Sequence, residues 1–421
     1  MLVFKFGGAS VRDAAAIQNV ASILSLYPGK KLTVVVSAMG KSTNKLEEIV
    51  EALETKNHKL FSGLVDELEE FHMDIMATLF PERHFKIYQT IEELFEKLRS
   101  RYEAVFSENK SFEYDQVVSL GEVLSSQIVS AYLIDQDFSV QWMDVRKLIR
   151  TDHSYQEGKV DWDKTEQLVR EKMLPSFTDA DILLTQGFIG HTAEGFTTTL
   201  GREGSDYTAG ILAYCGEAES VTIWKDVPGM LNADPKYFEN TKKLEAISFK
   251  EAIELSYYGA SVIHPKTIQP LQNRNIPLYV KSFLDPKSDG TVIQASSSQD
   301  HLIPSYIFKF DQALYSFTPK DFSFIVEENL SVIFGKLSDL NVKINLMQNS
   351  ALSFSILVDQ KKVKRTQLLE LFQKEYEVKY NEDLSLVTIR HYDEETINQV
   401  TQGKEVLLQQ RTRHTARFIL K

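Results

Sequence analysis

The sequence predicts an α/β protein followed by a smaller α+β region of βαββαβ order. Three observations predict it. The chain opens strand–helix–strand at the spacing of a parallel βαβ unit, strand-like runs recur between helical stretches, and the composition changes near residue 300, after which the pattern restarts. With 421 residues there is room for two domains of ordinary size, or three.

The elements follow in order. Residues 2–6 are a β-rich run that stops at Gly7-Gly8, residues 13–26 suit a helix, and residues 32–37 form a second strand. From 43 to 106 the apolar spacing is helical, with Leu64, Leu68, Phe71 and Ile75, then Ile91, Leu94, Leu98, Tyr102 and Val105, and this reads as a helical insertion. Residues 182–185, 221–224 and 277–281 are buried-strand candidates. Turn chemistry at 285–290 and a polar run at 296–299 place a boundary that divides the chain into 1–298 and 299–421. Beyond it come a strand near Tyr306 and a helix marked by Val326, Leu330, Ile333, Leu337 and Leu340. Two alternating strands, a helix over 364–375 and a strand over 384–389 complete one unit, about 304–380. A shortened second unit, about 381–421, has one short helix and strands near Val406 and Phe418.

Composition narrows the function. Hydrophobic residues make up 43% and aromatic residues 11%, enough to bury real cores, so wholesale disorder is excluded. Forty-seven lysines and arginines against 59 aspartates and glutamates leave a net charge of −12, so no nucleic-acid partner is expected, although a local cationic pocket for a small anion is allowed. Cys215 is the single cysteine, which rules out an internal disulfide and a four-cysteine zinc site. No apolar run approaches the ~20 residues that span a bilayer, and Lys5 comes too early for a signal peptide. The expectation is a soluble, cytoplasmic protein with no membrane partner.

Two glycine-rich stretches carry candidate chemistry. In Lys5-Phe-Gly-Gly-Ala-Ser10 a strand ends on glycines and a helix follows, where backbone N–H groups can approach an anion. Lys5 is an odd residue for a buried strand and needs a counter-charge. Two readings stay open: a phosphate there, or a solvent-facing lysine beside a tight turn. The second stretch runs from Thr197 to Asp206 and holds three threonines, Gly201, Gly204, Arg202 and a carboxylate ahead of a helix that Ser205 can cap. That set suits a polyphosphate loop, against the alternative of a polar hairpin and a capped helix. Gly40-Lys41-Ser42 mimics the end of a Walker A loop, but Val35 stands where that loop needs glycine. Asp321-Phe322 is followed by Ser323, so it is no kinase DFG. His264, before Pro265, has no second histidine at ligand spacing and reads as structural.

Over nearly the whole chain the sequence resembles the aspartokinases, of the amino-acid kinase superfamily. The carriers are Lys5 to Val11, Val36-Ser-Ala-Met-Gly40, Ser119-Leu-Gly-Glu122, Gln186-Gly-Phe-Ile-Gly190 and Thr197 to Ala209, followed by Trp224 to Gly229, Ala233-Asp-Pro235, Tyr258-Gly-Ala260 and His264-Pro265. The resemblance implies the amino-acid kinase fold, an open, largely parallel sheet sandwiched by helices, with residues 1–298 as the catalytic domain. It implies ATP-dependent phosphorylation of the side-chain carboxylate of L-aspartate, with Mg2+ held mainly by ATP. Lys5 and Asp206 would be catalytic, and Thr43, Glu122 and Arg202 would hold the substrate. Gly7, Gly8, Ser10, Thr199, Gly201, Lys225, Asp226, Asp234, Lys236 and Lys266 would serve the nucleotide. Ala9 replaces a threonine common in the family, with Ser10 beside it. Ser261 replaces a common lysine, with Lys266 the nearest substitute.

Residues 299–421 resemble the ACT regulatory region of the same family, which implies pairing into a homodimer or larger assembly and amino-acid feedback control. Asn345 and Ser350 fall at effector-facing positions; Asn345 and Ala351 stand where lysine-sensing relatives carry carboxylates. No homoserine dehydrogenase is expected after Lys421. The alternatives are a catalytically weak amino-acid and ATP sensor, or a related kinase acting on another acid.

Overall fold

The computed structural model describes residues 1–82, 85–260 and 263–421. Ser261, the position weighed for a second cation, lies outside the described residues. The chain divides into two compact units. The first comprises residues 1–230, 243–257 and 261–300, and the second 231–242, 258–260 and 301–421.

The first unit begins with β1 (Leu2–Phe6), α1 (Ala14–Leu24) and β2 (Leu32–Val36), and β1 and β2 pair in parallel in the register Leu2 to Leu32 through Phe6 to Val36. Asp13 starts α1 because its carboxylate accepts the Ala16 N–H at 2.8 Å, a standard N-cap. The insertion is α2 (Ser42–Glu54), α3 (His58–Leu79) and α4 (Phe85–Ser100). Leu64, Leu68, Ile75, Ile91 and Leu98 are buried as the spacing predicts. Val105 corrects that pattern: it follows the end of α4 and is 94% exposed.

Next come α5 (Lys110–Val118) and α6 (Leu120–Asp135), neither of which the periodicity predicts. Together, residues 110–135 are long and apolar enough to cross a membrane by composition, but their most apolar window is 78% buried within the protein. It is packed as a core helix, with Val123, Leu124, Ile128 and Leu133 inside. The remaining elements of this unit are β3 (Val140–Trp142), α7 (Trp162–Leu168), β4 (Ile182–Gln186), β5 (Ile189–His191), β6 (Thr197–Thr199), α8 (Gly204–Cys215), β7 (Ser220–Lys225), β8 (Ala246–Ser248), α9 (Phe249–Tyr258), α10 (Pro265–Asn273), β9 (Leu278–Ser282) and β10 (Thr291–Gln294).

Eight of these strands form one sheet in the order β3-β4-β2-β1-β7-β9-β10-β8; only the β9–β10 pairing is antiparallel. β2 and β4 are buried at every residue, the pattern of a parallel sheet covered on both faces. This order puts β1 centrally, with β2 and β7 on its flanks. The ends of these three strands therefore lie side by side.

The second unit is an antiparallel sheet with helices: β11 (Ser305–Pro319), α11 (Glu327–Asp339), β12 (Ile344–Asn349), β13 (Phe354–Asp359), α12 (Arg365–Phe372), β14 (Tyr376–Arg390), α13 (Glu394–Thr401), β15 (Val406–Arg411) and β16 (Thr415–Leu420), in the sheet order β12-β13-β11-β14-β16-β15. The expected division near 381 takes a different form here, because β11 and β14 each serve both halves. Gln312–Phe317 of β11 pair with β13 and Leu314–Pro319 with 376–381 at the start of β14, while Ser305–Lys309 pair with 386–390 at its end. The register shifts between these two parts, where Asp311 (φ 53°) turns left-handed, and Asp383 (φ 57°) does the same in β14. The strand over 384–389 is thus the second part of a 15-residue strand.

Asp13→Ala is expected to destabilise the first unit by about 1 kcal/mol through loss of the α1 cap, measured as a lower urea midpoint with activity retained.

Candidate active site

Parallel strands in an α/β sheet leave a crevice beyond their carboxyl ends, where helix N-termini point inward. In this protein a cavity of about 680 Å3 occupies that position, between the ends of β1, β2 and β7 and the start of α8.

Lys5 lies within β1, paired across to Val35 and Ile223, and is 8% exposed. Its counter-charge is Asp206 in the first turn of α8, with Lys5 Nζ 2.6 Å from Asp206 Oδ1. Lys225, the last residue of β7, brings its Nζ to 3.5 Å from Asp206 Oδ2. Burial by itself would raise the Asp206 carboxyl, but the two lysines outweigh it and hold the group below the usual carboxylate range. One buried carboxylate thus joins two ammonium groups from different strands, and the cluster carries one net positive charge.

Glu122, in the first turn of α6, is the opposite case. It is 3% exposed, its Oε1 accepts the Ala38 N–H at 3.4 Å, and its Oε2 has no hydrogen-bond partner among the described residues. Burial pushes its carboxyl up to about 8, against the Ala38 N–H and the charge of Lys5. Arg202 lines the same cavity from the loop ahead of α8, is exposed, and forms no hydrogen bond or ion pair among the described residues. An unspent carboxylate and an unspent guanidinium therefore face one cavity, together with a lysine pair.

Of the other expected site residues, Thr43, Gly8, Thr199 and Gly201 also line the cavity. Gly8 is required by close approach, since a Cβ there would lie 2.9 Å from the Ala38 carbonyl oxygen. Gly201 has φ 75°, a left-handed turn that favours glycine. Gly7 follows β1, close to the Lys5 ammonium, without lining the cavity, and the Ser10 hydroxyl is turned to the Trp224 carbonyl at 3.5 Å. Asp226 is exposed past the end of β7, and Lys266 is half-buried in the first turn of α10, where His264 Nδ1 caps the helix by accepting the Lys266 N–H. Asp234 and Lys236 belong to the second unit, where the Lys236 N–H donates to Asp234 Oδ1 at 2.9 Å in an exposed turn. Ser205 does not cap α8: the helix begins at Gly204, with Glu203 at the cap in a left-handed conformation (φ 54°).

The motif reading missed Glu47, Tyr114, Gln156, Glu157, Phe188 and Glu203, which also line the cavity. Tyr114 on α5 donates its hydroxyl to Glu47 on α2 at 2.7 Å. In sequence nothing marks this pair, because the two residues are 67 positions apart.

In the second unit, Asn345 accepts from Lys309 Nζ at 3.0 Å and donates to Gln312 Oε1 at 2.8 Å and Asp359 Oδ1 at 2.9 Å. Ser350 exchanges hydrogen bonds with Ser353 in the turn between β12 and β13. Both expected regulatory residues are thus engaged inside their own unit.

Many α/β proteins place a ligand crevice at the ends of a largely parallel sheet; here the model of the Amino acid kinase family matches residues 1–282. Lysine-sensitive aspartokinase 3 of Escherichia coli (strain K12) is 33% identical over 361 residues, covering 85% of this chain and 78% of that protein. The chloroplastic bifunctional aspartokinase/homoserine dehydrogenase 1 of Zea mays is 34% identical over 296 residues, 69% of this chain, and the chain spans about a third (32%) of that relative's length. The crystal structure of E. coli aspartokinase III in complex with aspartate and ADP (R-state) superposes with a TM-score of 0.80 at 28% identity, covering 100% of this chain and 96% of that one. The chain belongs to the aspartokinases, within the amino-acid kinase superfamily.

A carboxyl whose folded pKa is raised contributes stability that is present below its unfolded value and is lost as pH rises through the folded value. Glu122 therefore weakens the fold between about pH 4.5 and about 8. Glu122→Gln is expected to remove that part of the decline, seen as urea midpoints at pH 5 and pH 8 that lie closer together than in the wild type.

Proposed function

We propose that this cavity is where the chain, an aspartate kinase, transfers the γ-phosphoryl group of ATP to the side-chain carboxylate of L-aspartate. The observation that supports the reading is what one cavity brings together: the unpartnered Glu122 Oε2, the Arg202 guanidinium, and the ion-paired Lys5–Asp206–Lys225 cluster with its net positive charge. They match the ammonium and carboxylate of an amino acid and the phosphates of a nucleotide. In the reaction an aspartate carboxylate oxygen forms a bond to the γ-phosphorus, the bond from that phosphorus to the bridging oxygen breaks, and ADP leaves with the electron pair. The products are ADP and 4-phospho-L-aspartate, an acyl phosphate.

Phosphoryl transfer of this kind is mostly positioning and charge neutralisation. Lys5 and Lys225 place positive charge where the moving phosphoryl group and the leaving oxygen gather negative charge. Asp206 holds both ammonium groups in place before substrate arrives. Glu122 takes the substrate ammonium, and the pairing would draw its carboxyl to the ionised form. Arg202 grips a substrate carboxylate in its bidentate fork, with Thr43 beside it. Gly8, Thr199 and Gly201 shape the nucleotide side of the cavity, and Gly7, Ser10, Asp226, Asp234, Lys236 and Lys266 are retained as motif-based nucleotide assignments. Mg2+ would be held mainly by ATP oxygens and water, near Asp206, and would supply further charge neutralisation.

The second unit is read as an amino-acid-sensing region, with Asn345 and Ser350 facing the effector, and as the contact of a homodimer or larger assembly. Its exposed apolar residues, Phe322, Phe324, Val326, Val332 and Phe334 on and before α11, support the second point. Activity in the cytoplasm completes the reading.

Trapping the acyl phosphate with hydroxylamine tests the reaction. Aspartate with Mg-ATP is expected to yield hydroxamate, glutamate far less, and Lys5→Ala is expected to lower kcat by roughly 100- to 1,000-fold. Equal turnover of glutamate and aspartate would contradict the substrate assignment. The same assay with lysine, threonine or methionine added singly reports feedback, with inhibition by one of them expected. Sedimentation at micromolar concentration is expected to show a dimer or larger species, and a monomer would refute the assembly.

A further inference from the structure

We propose that Asp115, which does not line the cavity, is a positioning residue for aspartate: it fixes the wall segments at 156–157 and 199 from which the Arg202 loop departs. The proposal rests on the reading of the cavity as the acid-substrate site.

Asp115 lies on α5, is fully buried, and meets only donors. The Gln156 N–H lies 3.1 and 3.0 Å from its two oxygens, the Thr199 N–H donates to Oδ2 at 2.8 Å, and the Thr199 hydroxyl donates to Oδ1 at 2.7 Å. The next residue continues the arrangement. Gln116 Nε2 donates to the Thr197 carbonyl at 2.8 Å, and its Oε1 accepts the Thr197 N–H at 3.3 Å. β6 pairs with β5 along one edge. Along the other, two consecutive side chains of a helix stand in for a neighbouring strand. The Gly158 N–H closes the structure by donating to the Thr199 carbonyl at 2.8 Å.

The wall held in this way includes backbone in a sparsely populated conformation. Gln156 (φ 66°) on one segment, and Gly201 (φ 75°) and Glu203 (φ 54°) on the segment it touches, are all left-handed. Non-glycine residues persist in that region only where their surroundings fix them. Gly201 also packs against the 156–157 segment, since a Cβ on it would lie 3.3 Å from the Gln156 carbonyl oxygen. Arg202 follows directly, so the direction of its guanidinium depends on a turn that Asp115 secures two residues upstream of Gly201. Burial pushes the Asp115 carboxyl up to about 6, opposed by the same three donors. A carboxylate suits the place because it accepts at both oxygens, whereas an amide would turn an NH2 group towards a donor.

The test uses the full-length protein. Asp115→Asn is expected to raise KM for aspartate about tenfold or more, the loss of a charge-assisted acceptor, and to raise KM for ATP by a smaller factor, since Thr199 also borders the nucleotide side. Thr199→Val removes one donor and is expected to raise KM for aspartate by less. The two changes together should do no more than Asp115→Asn alone, because they break one network. Folded Asp115→Asn protein with an unchanged KM for aspartate overturns the proposal, as does a rise shared equally by ATP or additive effects of the two changes. If Asp115→Asn does not fold, an unchanged aspartate KM in Thr199→Val overturns it instead. Wild-type protein that fails to phosphorylate aspartate would sink the functional reading, whereas normal wild-type turnover with unaffected variants sinks only this inference.

Discussion

The first unit depends on one buried ion cluster, Lys5–Asp206–Lys225. Moving charges out of water costs several kcal/mol per ion, and a buried pair returns that only where geometry and further partners are good. Here the carboxylate has an ammonium on each oxygen and sits in the first turn of a helix, where the dipole favours negative charge. The cluster ties β1, β7 and α8 together at the place where their ends meet. Its excess positive charge is left beside a cavity, in a chain whose net charge is −12. The acidity of the whole molecule is no obstacle to binding an anion, because the charge that matters is local and poorly screened.

Two carboxylates within this site are set to opposite tasks by their surroundings alone. Asp206 is held ionised by two lysines, and Glu122 is left with one weak N–H donor and an unpartnered oxygen. The second state is unfavourable in isolation, since a buried polar atom without a partner costs roughly 1–3 kcal/mol. A ligand group able to donate to that oxygen would relieve it. Asp115 is a third case: buried like Glu122, but fully engaged by the Gln156 and Thr199 donors. Burial is common to all three, and the partners decide the role.

The second unit shows how strands can carry two half-units at once. β11 and β14 run through both halves of one sheet, and each changes register or hand at an aspartate, Asp311 and Asp383. Asn345 joins Lys309, Gln312 and Asp359 across three strands of that sheet. Its side chain is therefore part of the internal order of the sheet, and any effector bound there must compete with those bonds.

Much of this was legible in the amino-acid order. Runs such as 32–37 and 182–185 read as strands and the structure buries β2 and β4 at every residue; Gly8 and Gly201 mark places where a side chain has no room or the backbone turns left-handed; and Lys5 in a strand called for either a counter-charge or solvent. Those signals are local: they depend on apolar period, on glycine and on the cost of a buried ammonium. What satisfied Lys5 was not local, because Asp206 lies 201 positions along the chain and reaches it only once α8 packs on β1. α5 was illegible for a related reason. Its buried Glu113 and Asp115 interrupt the apolar stripe that reveals a helix, and their partners, Arg101, Gln156 and Thr199, come from separate segments. The chain's order alone determined which chemical groups were available; tertiary packing decided which of them are spent on each other and which remain free for a ligand, since desolvation and hydrogen-bond pairing exist only between groups the fold has brought together.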